Sequence, residues 1–143
     1  MNIYFGCSIT GGRNEESVYQ LIVNTLLADG HQVPTAHLSR PDVMELERVV
    51  VPLEVFTRDI QWINNCHAMI AEVSTPSHGV GYEISYALSI HKNVLCLHRT
   101  GAVVSKMITG NPNPQIRVLA YQTPDEIPGL ISQFLGKIHY ANS

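Results

Sequence analysis

Two acidic side chains and one tyrosine are the residues that the sequence best equips for chemistry. Glu83 follows the glycine-containing stretch Thr75–Tyr82 and is expected in the first turn of a helix, where the helix dipole favours an ionised carboxylate. An ionised carboxylate at the edge of a pocket can act as a nucleophile. If Asp59 faces the same pocket, the two acids are the minimum equipment for glycosidic cleavage through an oxocarbenium-like transition state. The hydroxyl of Tyr4 could hold one of the carboxylates.

Each of these residues also has an ordinary structural interpretation. Glu83 could simply complement the helix dipole, Asp59 could pair with its neighbour Arg58, and Tyr4 could be a core tyrosine. The sequence leaves both interpretations open, because only the fold decides whether residues so distant in the chain meet at one site.

Two glycine-containing stretches could hold an anion. Gly6–Arg13 and Thr75–Glu83 each follow a short apolar segment and enter a helical one, an arrangement in which backbone N–H groups and the helix N-terminus favour a phosphate. Neither stretch matches a Walker A loop or a GxGxxG fingerprint. Each could therefore be only a tight turn that binds no anion. The expected anion contacts in these stretches are Ser8, Gly11, Arg13, Ser77 and Gly79.

The histidines and cysteines do not form a metal-binding pattern. The seven histidines show neither HExxH nor HxxxH spacing, so we expect none of them to bind a metal. We also expect no cofactor. Only His37, which follows the predicted second strand, is expected near the pocket. The three cysteines contain no CxxC pair and are interpreted as reduced core thiols, which favours a cytoplasmic protein.

Composition narrows the class of protein further. With 143 residues, 45% hydrophobic and 15% charged, one globular domain over residues 1–143 is expected. The net charge of -3 gives no electrostatic footprint for nucleic acid, although one mononucleotide needs only a local cation or two. No apolar run approaches the roughly 20 residues that span a bilayer, and the first residues do not resemble a signal peptide.

The order of segments predicts an α/β fold. Short apolar stretches alternate with stretches of helical spacing along the whole chain. The predicted strands are 2–7, 31–35, 68–73, 93–98 and 116–121; the predicted helices are 15–28, 51–65, 80–90 and 124–138, with a loop or short helix at 39–47 and one helical turn at 105–108.

This alternation implies a single Rossmann- or flavodoxin-like domain, with a five-stranded parallel sheet in the order 2-1-3-4-5 and helices on both faces. Ligands of such folds bind beyond the carboxyl ends of the strands, at the point where the strand order reverses. We therefore expect the site among the loops that follow strands one, three and four.

Several motifs resemble those of one known family. The sequence is similar to the nucleoside 2-deoxyribosyltransferase superfamily, and most closely to its Rcl-type branch of 2'-deoxynucleoside 5'-phosphate N-hydrolases. The resemblance rests on Ile3-Tyr4-Phe5, Ser8-Ile9, Gly11-Gly12-Arg13, Arg58-Asp59-Ile60-Gln61-Trp62, Ala71-Glu72-Val73, Pro76–Glu83, Asn93–Leu97 and Ser105–Ile108. One departure is the order Gly6-Cys7, where the family often has Cys-Gly; another is Thr10, where it often has a cation.

The resemblance implies a role for each matching residue. Glu83 would attack C1' and form a deoxyribosyl–enzyme intermediate, Asp59 would deliver a proton to the leaving base, and Tyr4 would orient the glutamate. The resemblance also implies a homodimer, with Ser105 and Met107 completing the partner's site. Ser8, Ser77 and Ser105 would hold the 5'-phosphate, and Ile9, His37, Trp62 and Met107 are candidates to contact the base.

The implied activity is hydrolysis of 2'-deoxynucleoside 5'-monophosphates to a free base and 2-deoxyribose 5-phosphate, without metal or organic cofactor. A competing hypothesis is a nucleoside 2-deoxyribosyltransferase that passes the sugar to a second base; Ser77, suited to a phosphate, favours the hydrolase. Two further hypotheses are a hydrolase of ribonucleotides such as CMP and a nucleotide-binding module without turnover. The sequence does not identify the base.

Overall fold

The computed structural model describes residues 1–141 and contains a four-stranded, fully parallel sheet. The strands are β1 (Ile3–Gly6), β2 (Ala68–Glu72), β3 (Asn93–Arg99) and β4 (Ile116–Tyr121), and their order in the sheet is β1-β2-β3-β4. The register pairs Tyr4 with Met69, and Met69 with Val94. The prediction of five strands in the order 2-1-3-4-5 is therefore wrong.

The error lies in the segment that the sequence predicts as strand two. This segment runs beside the outer edge of β1, but it contributes only an isolated parallel bridge between Asn2 and Gln32. Pro34 has no N–H to donate, so the ladder cannot continue past it. At the next residue a side chain replaces the backbone, because the hydroxyl of Thr35 accepts a hydrogen bond from Phe5 N at 2.9 Å.

Within the described residues, six α-helices connect the strands and cover the sheet. They are α1 (Glu16–Ala28), α2 (Val43–Arg48), α3 (Pro52–Asn65), α4 (His78–Ser89), α5 (Lys106–Thr109) and α6 (Ile127–Ala141), with 3₁₀ turns at Ala36–Ser39 and Pro124–Glu126. The longer helices lie where the sequence predicts them, within a few residues. None of the helices in residues 1–141 is long and apolar enough to cross a membrane.

Alternate residues of each strand enter two separate cores, as expected for a parallel sheet covered on both faces. Ile3 and Phe5 of β1 pack on one face, in a core that also contains Tyr19 of α1 and Ile131 of α6. Tyr4 points to the other face, in a core built with α3 and α4. Tyr4 is thus directed from the middle of β1 toward the two helices that carry the candidate acids.

Candidate active site

Glu83 lies on α4 and faces inward. The helix begins after Ser77, whose hydroxyl caps it by accepting a hydrogen bond from Val80 N at 3.3 Å. Glu83 is consequently the sixth residue of the helix, and the prediction that it stands in the first turn is wrong. Its Oε2 atom is buried and has no hydrogen bond to any of residues 1–141. Burial raises the Glu83 pKa to about 8, against the opposing effect of the nearby Tyr4 hydroxyl.

Tyr4 is buried beside this carboxylate. Its side chain is fully inaccessible, and within the described part of the chain its hydroxyl makes no hydrogen bond of ordinary geometry. Burial raises the Tyr4 pKa well above its usual range, and the nearby Glu83 and Asp59 raise it further. The hydroxyl therefore stays protonated and can donate a hydrogen bond to the glutamate after a small adjustment. A buried hydroxyl and a buried carboxylate oxygen, both unpaired, are an uncommon juxtaposition in a protein core.

Asp59 lies on α3, and its side chain is 15% exposed. Arg58 Nε donates a hydrogen bond to Asp59 Oδ1 at 2.8 Å. Burial raises the Asp59 pKa, and the Arg58 guanidinium works in the opposite direction. Because burial raises the pKa of both acids, the pair retains a proton at higher pH than two solvated carboxyls would.

Asp59 and Glu83 line the same two cavities. The first has a volume of about 220 Å³ and a mixed wall: Cys7, Ile9, Thr10, Leu38, Glu47, Val55, Arg58, Asp59, Ser77, Gly79, Val80 and Glu83. The second, of about 450 Å³, is lined mainly by apolar side chains, among them Phe56, Ile60 and Tyr82. We call the first the polar cavity, because charged and hydroxyl-bearing side chains form part of its wall, and the second the apolar cavity. The two carboxylates line both, and each cavity is large enough for part of a small ligand.

The loops after β1 and β2 interlock at this site. A Cβ atom on Gly11 would lie 2.4 Å from the carbonyl oxygen of Pro76 and 3.1 Å from the Ser8 hydroxyl oxygen, so only glycine fits at this crossing. Ser8 is fully buried, and its hydroxyl has no hydrogen-bond partner among the residues described. An unpaired hydroxyl beside the start of α4 is suited to an anion.

Arg13 does not reach the cavities. Its guanidinium donates to the carbonyl oxygens of Ser8 and Arg40, each at 3.3 Å, and pairs with Glu16 at 3.3 Å. It also stacks over the ring of Tyr19, 5.3 Å from the centroid. These contacts fix the loop after β1 but leave the guanidinium turned into the protein, so the structure does not bring Arg13 together with the other predicted anion contacts.

His37 is linked to the site through Glu47. Its Nε2 atom lies 2.7 Å from Glu47 Oε1, and its ring meets the edge of Trp62 at a centroid distance of 6.1 Å. Ser105 and Met107 line a different cavity, of about 430 Å³, which shares Ser77 with the first. Within one chain, these two residues do not line a cavity with Glu83.

Sequence reasoning missed three residues that shape the site. Gly6 lies against Glu83, since a Cβ on it would stand 3.2 Å from Oε2. Glu47 lines the polar cavity and binds Arg58. Glu72 is a fully buried carboxylate at the end of β2; it accepts hydrogen bonds from Ser74 N, from the Ser74 hydroxyl and from the hydroxyl of Tyr121, at 2.6, 3.0 and 2.5 Å. This network holds the start of the loop that leads to Ser77.

Comparisons with known proteins place this chain in a family. The family model for nucleoside 2-deoxyribosyltransferase matches residues 3–127. The 5-hydroxymethyl-dUMP N-hydrolase of Danio rerio is 38% identical over 138 residues, which cover 94% of this chain and 95% of that protein. The 5-hydroxymethyl-dUMP N-hydrolase of Esox lucius is 37% identical over 139 residues, with the same two coverages.

A solved structure agrees on the fold. The CMP N-glycosidase BcmB of Clostridium botulinum superposes with a TM-score of 0.68, covering 92% of this chain and 99% of that one, at 16% sequence identity. At that identity, the likeness supports the fold alone. The family match and the two relatives, which align over nearly their whole length, establish that this chain belongs to the nucleoside 2-deoxyribosyltransferase family.

Proposed function

We propose that this protein hydrolyses the N-glycosidic bond of 2'-deoxynucleoside 5'-monophosphates, with Glu83 as the nucleophile. The observation that carries the proposal is that Glu83 and Asp59, from two different helices, line the same cavities beside the Tyr4 hydroxyl. A pair of carboxyl groups flanking one sugar is the equipment of glycoside hydrolysis. The names of the relatives, whose substrate is itself a 2'-deoxynucleoside 5'-monophosphate, support the same reaction and substrate class.

The first step breaks the bond between C1' and the base nitrogen. Ionised Glu83 attacks C1' and forms a C1'–O bond, while Asp59 transfers its proton to the departing base. The Tyr4 hydroxyl orients the glutamate. In the second step Asp59, now ionised, takes a proton from water, the water oxygen bonds to C1', and the bond to Glu83 breaks. The products are the free base and 2-deoxyribose 5-phosphate, and the chemistry requires neither a metal nor an organic cofactor.

The 5'-phosphate is assigned to the region where the loops after β1 and β2 cross. Ser77 and Gly79 line the polar cavity, and Ser8, whose hydroxyl is unpaired, stands in the chain between Cys7 and Ile9, which both line it. The N-terminus of α4, a helix of 12 residues, adds a favourable dipole. Ile9 lines the same cavity and is assigned to the base. Hydroxyls and amides can hold the phosphate here, although Thr10 supplies no cation.

The active form proposed is a homodimer in which Ser105 and Met107 complete the partner's site. Two observations support it. Met107 is 82% exposed although apolar, as is Val103 at 87%, and the Phe56 and Tyr82 rings pack together at 6.0 Å while each remains about half exposed. Apolar surface of this kind marks an interaction site.

A cytoplasmic location belongs to the proposal as well, supported by three buried cysteines that are all free thiols.

A substrate panel tests the proposal. The protein is incubated with dCMP, dGMP, dUMP, 5-hydroxymethyl-dUMP, CMP and the free deoxynucleosides, each with and without a second free base, and the products are separated by chromatography. We expect base release from deoxynucleoside monophosphates and loss of turnover in Glu83→Ala, with the variant still folded. Base exchange between deoxynucleosides would instead identify a transferase, and preferential cleavage of CMP a ribonucleotide hydrolase. Full activity of Glu83→Ala would refute the assigned nucleophile.

A further inference from the structure

Arg58 is held from three directions on the wall of the polar cavity. Its Nη2 atom donates to Glu47 Oε1 at 2.9 Å, with Nη1 3.4 Å from Oε2, and its Nε donates to Asp59 Oδ1 at 2.8 Å. The guanidinium lies over the ring of Trp62, 4.8 Å from its centroid. An arginine whose fork, Nε and face all have partners has little rotational freedom left. Arg58 therefore bridges Glu47 and Asp59.

Glu47 anchors this bridge from outside α3. It lies on the short helix α2, its side chain is 14% exposed, and its Oε1 atom also contacts His37 Nε2 at 2.7 Å. The contact with Glu47 thus ties Arg58 of α3 to two other segments of the chain. Arg58 bonds only to Oδ1 of Asp59, which leaves Oδ2 of that carboxyl without a bond to the guanidinium.

We propose that Glu47 is a positioning residue for the reaction: through Arg58 it fixes the Asp59 carboxyl so that the second oxygen of Asp59 is presented toward the departing base. This inference rests on the proposed function. His37 contributes to the same assembly by holding Glu47, rather than by contacting substrate. Proton transfer requires the donor within hydrogen-bond reach of its acceptor, so a loosely held Asp59 would slow the chemical step without weakening substrate binding to a similar extent.

Glu47→Gln is the informative substitution, because glutamine keeps the shape of the side chain. It removes the charge and one of the two acceptors that face the guanidinium, so Arg58 gains freedom to leave Asp59. The matched control is Glu54→Gln, an exposed glutamate in the first turn of α3, the helix that carries Asp59. We expect Glu47→Gln to lower kcat about tenfold and to change KM by less than about twofold. Glu54→Gln should leave both constants unchanged.

A double variant distinguishes positioning from general loss of structure. In an Asp59→Asn background the proton donor is absent, so adding Glu47→Gln should lower kcat no further. The same tenfold loss in both backgrounds would overturn the proposal, because Glu47 would then act independently of Asp59. Wild-type kcat in the single Glu47→Gln variant would overturn it equally.

An NMR measurement decides the positional claim without relying on turnover. The Arg58 Nε–H group should give a sharp, slowly exchanging signal in the wild type and in Glu54→Gln, and should broaden or exchange rapidly in Glu47→Gln. An unchanged signal in Glu47→Gln would refute the bridge. If the wild type released no base from any nucleotide, the proposed function would fail, and this signal would still show whether Glu47 holds Arg58.

Discussion

The backbone of Gly6 lies directly against the carboxylate of Glu83. A Cβ atom at position 6 would stand 3.2 Å from Glu83 Oε2 and 3.1 Å from Met69 Cε, both closer than ordinary van der Waals contact. Both atoms are the free ends of flexible side chains, so each would have to shift by a few tenths of an ångström to admit the Cβ. The glycine at the end of β1 thus reserves space for the proposed nucleophile.

We predict that Gly6→Ala impairs activity more than stability. The added methyl group displaces the Glu83 carboxylate by a few tenths of an ångström, and a displacement of this kind is expected to lower kcat/KM by about ten- to a hundredfold. Thermal unfolding should shift by only a few degrees. Gly136→Ala, on α6 with open space at the Cβ position, is the control and should keep full activity. Unimpaired turnover in Gly6→Ala would mean that Glu83 does not need this position.

A second prediction concerns the pH dependence of turnover. The reaction requires one proton on the pair, with Asp59 protonated and Glu83 ionised. Burial raises the Glu83 pKa to about 8, so the last proton leaves the pair near that pH. We therefore expect kcat/KM to fall as the pH rises through about 8. In Asp59→Asn, where only the ionisation of Glu83 matters, the residual activity should rise with pH instead; a falling profile in that variant would contradict the assigned roles.

The buried carboxyl of Glu83 should also make stability depend on pH. Its pKa is raised by burial from 4.5 in the unfolded chain to about 8 in the fold. Between these two pH values, the folded protein keeps a proton that the unfolded chain releases. The contribution of Glu83 to the free energy of unfolding is therefore fully present below about pH 4.5, and it is lost as the pH rises from there through about 8. Glu83→Gln lacks this loss.

Urea unfolding at pH 5 and pH 8 measures the difference. Relative to wild type, Glu83→Gln should gain at least about 1 kcal/mol in unfolding free energy between the two pH values, since one unit of pKa shift corresponds to about 1.4 kcal/mol. The exposed Glu54→Gln should show no such gain. A constant difference between Glu83→Gln and wild type would mean that the Glu83 carboxyl is not perturbed by burial.

Subunit mixing tests whether Ser105 acts across a dimer. Ser105→Ala and Glu83→Ala are each expected to be weakly active or inactive alone. If Ser105 completes the partner's site, a mixed dimer contains one site with both defects and one intact site, so activity should return on mixing. Recovery should approach a quarter of the wild-type value, because about half of the randomly mixed dimers are heterodimers with one working site. Failure to recover, with dimers demonstrated by ultracentrifugation, would place Ser105 in its own chain's site.

The sequence predicts the alternating α/β pattern well because apolar periodicity governs each element locally. It fails at residues 31–35, where Val33 is buried as in a strand but Pro34 interrupts the ladder. The strand count therefore turned on one missing N–H group. The helix that carries Glu83 is also predicted, but its predicted start at residue 80 is two residues late, and the glutamate is therefore expected in the wrong turn.

The partners of charged side chains were the least predictable part of the site. Arg13 lies in a promising loop, yet Glu16 and two carbonyl oxygens bind it elsewhere. Glu72 belongs to an otherwise apolar strand, and nothing in its local pattern signals that Tyr121, far along the chain, donates to it. Such pairings depend on which segments the fold brings together. The residue pattern and the family resemblance both point to Glu83 and Asp59, but neither predicts the residues that hold them.

The segment beside β1 also governs how copies of this protein can meet. On that side, Ile3 N donates to Gln32 O at 2.8 Å and Phe5 N to the Thr35 hydroxyl, so these amides are already satisfied although no fifth strand forms within residues 1–141. A strand from another molecule cannot extend the sheet there without displacing the covering segment. A segment that forms only one β-bridge thus covers the outer edge of β1 and protects the protein from edge-to-edge aggregation. The helical surfaces remain free to associate with another copy.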